Sequence, residues 1–337
     1  VLQGRWLEAM PGGSEVLAET SLPRFLMTLP IGGREPSDFL DMGPGAEIED
    51  LVFAPREQAV YMTAAVSNPH RSGSPVTARA LLEIDTANWM LIGSVPLDTD
   101  RYARGMAVER HQSRVYLYEE DGEGAARLSV VDLYRQIPLR SLRVGTMPAV
   151  VGRKGLAVDR ESKVLFCLVG GDGIRDDFAP VGRAPQAPAL VALSAEDLVR
   201  RGSVELPDGS EPRALGYDQD LEKLCVLTTD RKRSRLVLVD AGFLRIRTVV
   251  DLPEPTSDLV VLGGYAFAPG AHGVYIVDLN SETWVSRPGV NFDRTGEVAV
   301  AGDLRRALVQ FRSGAVNAAP GVALLDLTTG SVLEVWN

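Results

Sequence analysis

A small set of charged residues recurs at one place in this chain, just ahead of a short apolar run that folds back on itself. In chain order they are Arg5 (with Trp6 beside it), Glu49 and Asp50, Arg104, Lys154, Arg213, Asp258 and Glu297. Arg104, Lys154 and Arg213 follow one another as cations. Asp258, Glu297 and the Glu49–Asp50 pair are carboxylates. Gathered into one ring, they would hold an anion on one side and a cation on the other, or a zwitterion across it. In an enzyme, one carboxylate would take a proton while Arg104 or Arg213 held a substrate carboxylate. As plain surface charge they would form a solvated rim that contributes little.

Other chemistry is thinly represented. The three histidines are His70, His111 and His272, and no HExxH or His-x-His spacing joins any of them to a metal. His70 lies in a long Gly/Pro-rich stretch, SNPHRSGSPVTA (67–78), which reads as a loop. A second such loop, 170–188, opens with GGDGIRDD. Its Asp172, Asp176 and Asp177 make a weak calcium candidate that lacks the EF-hand ligand spacing. Long loops on a rigid scaffold are common seats of function. No GxSxG and no P-loop occur, so the sequence makes no case for a serine hydrolase or an NTPase. Cys167 and Cys225 are too few for a disulfide framework or a cysteine zinc cluster and read as small apolar fillers. No cofactor motif and no metal triad is evident.

The elements that must position these residues repeat. DLVFAPREQAVYMTAA (50–65), GMAVERHQSRVYLYEE (105–120), GLAVDRESKVLFCLVG (155–170), ALGYDQDLEKLCVLTT (214–229), DLVVLGGYAFAPG (258–270) and EVAVAGDLRRALVQFR (297–312) are each an apolar strand, a polar turn and a second apolar strand. WLEAMPGGSEVLAETS (6–21) has the same form. Between them runs a second hairpin, as in RLSVVDLYRQIPLRSLRV (127–144) and GVALLDLTTGSVLEVW (321–336), where a strand ends in Asp before a turn. The short carboxylate suits that place because it accepts hydrogen bonds from nearby backbone N–H groups. Four strands at a period near 45–50 residues indicate an all-β, seven-bladed β-propeller formed by the whole chain, 1–337, as one domain. Trp89 and Trp284 fall in the second type of turn, as caps between sheets or as a partner surface.

The chain starts inside a repeat. The spacing from Leu40 to Leu51 matches that from Leu97 to Met106, which makes SDFLDM (37–42) the first strand of a blade. The last blade is then expected to combine N-terminal strands with C-terminal VLEVW (332–336) as its innermost strand. Removing 331–337 is then expected to give an insoluble or strongly destabilised product. The alternative is six blades plus an N-terminal appendage.

The strand, Asp-x-x-Thr-Gly turn and strand of LLDLTTGSVLEVW, together with the hairpin WLEAMPGGSEVLAETS, resembles the YVTN-type (YncE-like) bacterial propellers. Their superfamily includes the propeller subunits of amine dehydrogenases. The resemblance implies a periplasmic or secreted protein with a binding or docking role. Neither the quinone-cofactor nor the haem d1 residues of its redox members are found here. The composition, 45% apolar and 24% charged, is that of a globular chain, and a net charge of −10 argues against a nucleic-acid partner. No apolar run is long enough to span a membrane. The expected function is non-catalytic: a small molecule or protein partner bound at the central channel and the long-loop face. The alternatives are a lactonase-like or isomerase-like enzyme using the channel carboxylates and arginines, and an accessory subunit of a redox complex.

Overall fold

A computed structural model describes residues 7–9, 15–19, 25–30, 39–41, 46–54, 59–67, 76–109, 113–146, 154–170, 187–207, 211–230, 233–288, 292, 294–312 and 321–336. Within them lie seven four-stranded antiparallel sheets, each built from consecutive strands. Sheet 1 holds β1 (Leu7–Ala9), β2 (Glu15–Glu19), β3 (Phe25–Pro30) and β4 (Phe39–Asp41). Sheet 2 holds β5 (Ala46–Ala54), β6 (Ala59–Ser67), β7 (Val76–Asp85) and β8 (Met90–Pro96). Sheet 3 holds β9 (Arg101–Glu109), β10 (Arg114–Asp121), β11 (Ala125–Asp132) and β12 (Ile137–Thr146). Sheet 4 holds β13 (Leu156–Asp159), β14 (Val164–Val169), β15 (Ala189–Ser194) and β16 (Arg200–Glu205). Sheet 5 holds β17 (Glu211–Asp218), β18 (Lys223–Thr229), β19 (Ser234–Asp240) and β20 (Arg245–Leu252). Sheet 6 holds β21 (Val260–Leu262), β22 (Tyr265–Gly270), β23 (Gly273–Asp278) and β24 (Thr283–Pro288). Sheet 7 holds β25 (Arg294–Val300), β26 (Arg306–Arg312), β27 (Gly321–Asp326) and β28 (Val332–Trp336).

The first strands of sheets 2 to 7 adjoin one another in chain order, and β1 adjoins β25. The chain is a β-propeller, with each first strand facing the channel and each fourth strand at the rim. Burial follows that order. The middle strands β14 and β15 are buried along their whole length, whereas the outer strand β16 is exposed or half-buried. One core cluster runs from Tyr116 and Tyr118 through Phe166 and Leu190 to Val226 and Val237, joining sheets 3, 4 and 5. Another joins sheets 6 and 7 through Phe267, Val298 and Val309. Within it, Phe292 and Phe311 stack at 4.5 Å.

The expected closure by both chain ends does not occur. VLEVW is β28, paired with β27 at the outer edge of sheet 7, and β4 pairs with β3 at the outer edge of sheet 1. The strand after each Asp turn therefore ends a sheet rather than starting one. The link from Asp41 to Ala46, like that from Pro96 to Arg101, carries the chain from one sheet's rim to the next sheet's channel strand. The Asp turn decides this phase, since it folds its two strands into one hairpin. Asp326 Oδ1 accepts the N–H groups of Thr328 (2.7 Å) and Thr329 (3.0 Å), and Gly330 takes the left-handed conformation that turns β28 onto β27. The run β5–β28 gives six four-stranded blades. This fits the alternative of six blades behind an N-terminal segment, and that segment is itself the four-stranded sheet β1–β4. No described helix is long and apolar enough to cross a membrane.

Candidate binding site at the channel mouth

The expected ring residues on the channel strands share a backbone feature. In the β5–β6 register Ile48 faces Ala64 and Asp50 faces Thr63, leaving Glu49 as an extra residue. Arg104 is extra in β9, between Ala103 and Gly105. Arg213 is extra in β17, between Pro212 and Ala214. Gly296 and Glu297 fall in the same irregularity of β25. These are β-bulges, which twist a strand and re-aim the side chain of the inserted residue. Ser257 Oγ donates to the Gly296 carbonyl at 2.6 Å, and a Cβ on Gly296 would strike the Gln310 side chain.

Lys154 and Asp258 occupy the equivalent places before β13 and β21. Lys154 Nζ donates to Asp258 Oδ2 at 2.8 Å. The same oxygen accepts the Val298 N–H at 3.0 Å, and the Lys154 carbonyl accepts the Leu215 N–H at 2.5 Å. One belt of polar contacts thus ties the channel strands of sheets 4, 5, 6 and 7. It pairs a cation and a carboxylate from the two expected halves of the ring, so the ring is less divided than its chain order implies.

The other members find partners elsewhere or keep open valences. Arg104 donates from Nε (2.9 Å) and Nη2 (2.7 Å) to Glu120 Oε2 and is half exposed. Asp50 is buried, and its Oδ1 accepts the Leu51 N–H at 2.9 Å. The Glu297 N–H donates to Gln310 Oε1 at 3.4 Å. Arg213 is half-buried, and its Nε is shielded from solvent without a hydrogen bond. Arg5, Trp6, His70, Asp172, Asp176 and Asp177 lie outside the described residues, as does the calcium candidate. Among the described residues no three His, Cys, Asp or Glu side chains come together as a metal site.

Glu49 leads to an assembly that sequence reading missed. Arg79 on β7 is fully buried. It donates from Nε to Glu49 Oε2 at 2.7 Å and from Nη1 to Glu119 Oε1 at 2.6 Å. Glu49 Oε2 also accepts the Ala103 N–H at 3.3 Å. Burial pushes the Glu49 carboxyl above its ordinary value despite Arg79 beside it, and Glu49 Oε1 has no hydrogen bond. The sequence signal was present: Arg79 interrupts VTARALLEI, and Glu119 ends the apolar run of β10. A second missed contact joins His272 Nδ1 to Glu254 Oε2 at 2.6 Å on the turn between β22 and β23.

The expected fillers behave as such. Cys167 and Cys225 are free and fully buried, and burial pushes the Cys167 thiol up to about 12. Trp89 packs on the sheet 2 cluster of Ile48, Val60 and Met62, while Trp284 meets Tyr275 edge-on at 5.4 Å.

No protein-family model matches the chain, and no curated protein matches it. Among solved structures it is similar to a chain of Kuenenia stuttgartiensis hydrazine synthase. That match has a TM-score of 0.65 and 11% identity, and covers 96% of this chain and 95% of the other. At that identity the likeness speaks for the propeller fold and for no chemistry.

Proposed function

We propose that this chain is a binding propeller, and that its channel mouth receives an acidic group of a small ligand or protein partner. The observation that carries the reading is the placement of Glu49, Arg104, Arg213 and Glu297 at bulges of four channel strands. Bulges gather beside sites because they aim side chains that a regular pleat would turn away. The Lys154–Asp258 and Glu49–Arg79 pairs act as frame, and half-buried Arg213 at the bulge of β17 is the cation for the acidic group. A guanidinium suits a carboxylate acceptor.

The proposal extends to two matters implied by the turn motif of LLDLTTGSVLEVW, namely kinship with the YVTN-type propellers and a place outside the cytoplasm. What supports the kinship is the Asp-capped, glycine-closed turn at 326–330. The hydrazine synthase likeness adds no argument for redox chemistry.

A thermal-shift screen of mono-, di- and tricarboxylates tests the function. Stabilisation should rise with ligand concentration in the manner of a single site, because a ligand at about 100 times its Kd adds about 2.7 kcal/mol. Steady turnover of a substrate that ceases on replacing Arg213 or Glu297 would instead make the mouth an active site.

A further inference from the structure

A cleft of 220 Å³ opens between sheets 2 and 3, reaching from the rim strand β12 inward to Arg101 on β9. It runs across all four strands of sheet 3 and is capped by the end of β8. Its inner end is polar, formed by Arg101, Glu119, Ser129 and Ser141, and its flanks are apolar, formed by Leu97, Val131, Pro138 and Leu139. We propose that this cleft binds a small organic carboxylate with a compact apolar body, the carboxylate on Arg101 and the body between Leu97 and Leu139.

The polar end is built around Arg101. Its Nη1 donates to Ser141 Oγ at 3.3 Å and to Ser129 Oγ at 3.5 Å, so the guanidinium is fixed on that side. Ser129 Oγ donates in turn to Glu119 Oε2 and lies 3.2 Å from Ser141 Oγ. Glu119 is shared between two arginines, so it neutralises Arg101 only in part. Its Oε1 is taken by buried Arg79, and its Oε2 stays 3.7 Å from Arg101 Nη1. The close carboxylate on Arg101 is that of Asp98, at 2.8 Å from Nη2, and Asp98 is 61% exposed at the rim. Arg101 Nε is buried and makes no hydrogen bond. The Nε–Nη2 edge thus faces two carboxylates, Asp98 on Nη2 and Asp100 at 3.9 Å from Nε, both solvated at the rim, and a bound carboxylate would take their place there. That edge fits a carboxylate in the two-point manner. Arg140 lines the same cleft and adds a second cation.

Size and lining narrow the ligand. At 220 Å³ the space is below the ~300–1,000 Å³ of pockets that take drug-sized molecules. Apolar flanks disfavour a bare inorganic anion, whose hydration they cannot replace. A single ring or short chain with one carboxylate satisfies both ends.

Benzoate and hexanoate are the probes, with benzamide as the neutral isostere of benzoate and inorganic phosphate as the bare anion. Binding to the full chain is followed by titration calorimetry and ligand-observed NMR. Benzoate should bind at least tenfold more tightly than benzamide, with no competition from equimolar phosphate. Arg101→Gln should weaken benzoate tenfold or more. If that variant unfolds, Ser141→Trp fills the cleft from the outermost strand and should abolish binding while melting near the parent. Arg247→Gln, an exposed arginine on the outermost strand of sheet 5, should leave benzoate binding unchanged, which separates this site from surface charge at large. Equal binding of benzoate and benzamide, no benzoate binding at all, or full binding in a folded Ser141→Trp would each overturn the proposal.

Discussion

Lys154 Nζ and Asp258 Oδ2 meet at 2.8 Å although their sheets are not neighbours: sheet 5 stands between them. The contact therefore bridges the channel wall over β17, and Asp258 extends it to sheet 7 through the Val298 N–H. Asp258 is nearly buried and Lys154 is a quarter exposed, so the two ends of the pair are not equivalent. Removing Asp258 strands a buried N–H and a cation, whereas Lys154 can reach solvent when its partner is lost.

Asp258→Ala is expected to cost about 2–3 kcal/mol, the range for a buried acceptor that leaves its donors unpaired. Lys154→Met should cost about 1 kcal/mol, since Asp258 keeps its backbone donor. Urea titrations of both variants check the order, and a larger loss in Lys154→Met would contradict it.

Arg79 lies between two buried carboxylates, Glu49 and Glu119. Arg79→Met leaves both without their cation and should cost about 3–5 kcal/mol. Glu49→Gln should cost much less, because Arg79 keeps Glu119. The Glu49 carboxyl is raised in the folded state, so folding takes up a proton there. Its contribution to stability thus improves as pH falls from its folded value toward the ordinary 4.5. The stability of wild type minus that of Glu49→Gln, measured against pH, should rise on acidification through that window. A flat difference would contradict the burial of this carboxyl.

The turn aspartates act with the opposite sign. Asp278, Asp303 and Asp326 are held below their ordinary 3.8, first of all by hydrogen bonds from the backbone N–H groups of Asn280, Arg305 and Thr329 respectively. A depressed carboxylate contributes stability that is present above the unfolded value and lost as pH falls through the folded one. Acid unfolding should therefore set in below about pH 4, and Asp278→Asn should flatten its first part. An unchanged acid limb in that variant would show that the turn bonds carry no weight.

Truncation at 331–337 now has a different expected outcome. β28 is an outer strand with Val332, Leu333 and Val335 substantially exposed, Leu333 at 52%. Its loss removes one edge ladder and little apolar burial, so the product should stay folded and melt several degrees lower. An insoluble product would restore a closing role for the C-terminus.

The alternation of apolar strands and polar turns made the propeller legible, because each hairpin is local and its signals lie side by side in the chain. The phase was not legible. Leu40 and Leu51 are spaced as a hairpin would be, but the same spacing serves a crossing between sheets, and only the register of β3 on β4 separates them. The ring was found from the charge standing before each apolar run, which marks the bulges of β5, β9, β17 and β25. The partners were hidden because pairing across sheets leaves no local spacing. Lys154 and Asp258 are 104 residues apart, and Arg79 and Glu119 are 40 apart.

The most direct test of the channel-mouth function is titration of the parent protein and of Arg213→Gln with the tightest carboxylate from the thermal-shift screen. Arg213 is the extra residue at the bulge of β17, half-buried and with no hydrogen bond on its Nε. The expected result is a saturable one-site isotherm in the parent and a loss of at least tenfold in the variant, with melting unchanged in the absence of ligand. Equal affinity in the two proteins would contradict the assignment of the mouth as the binding site.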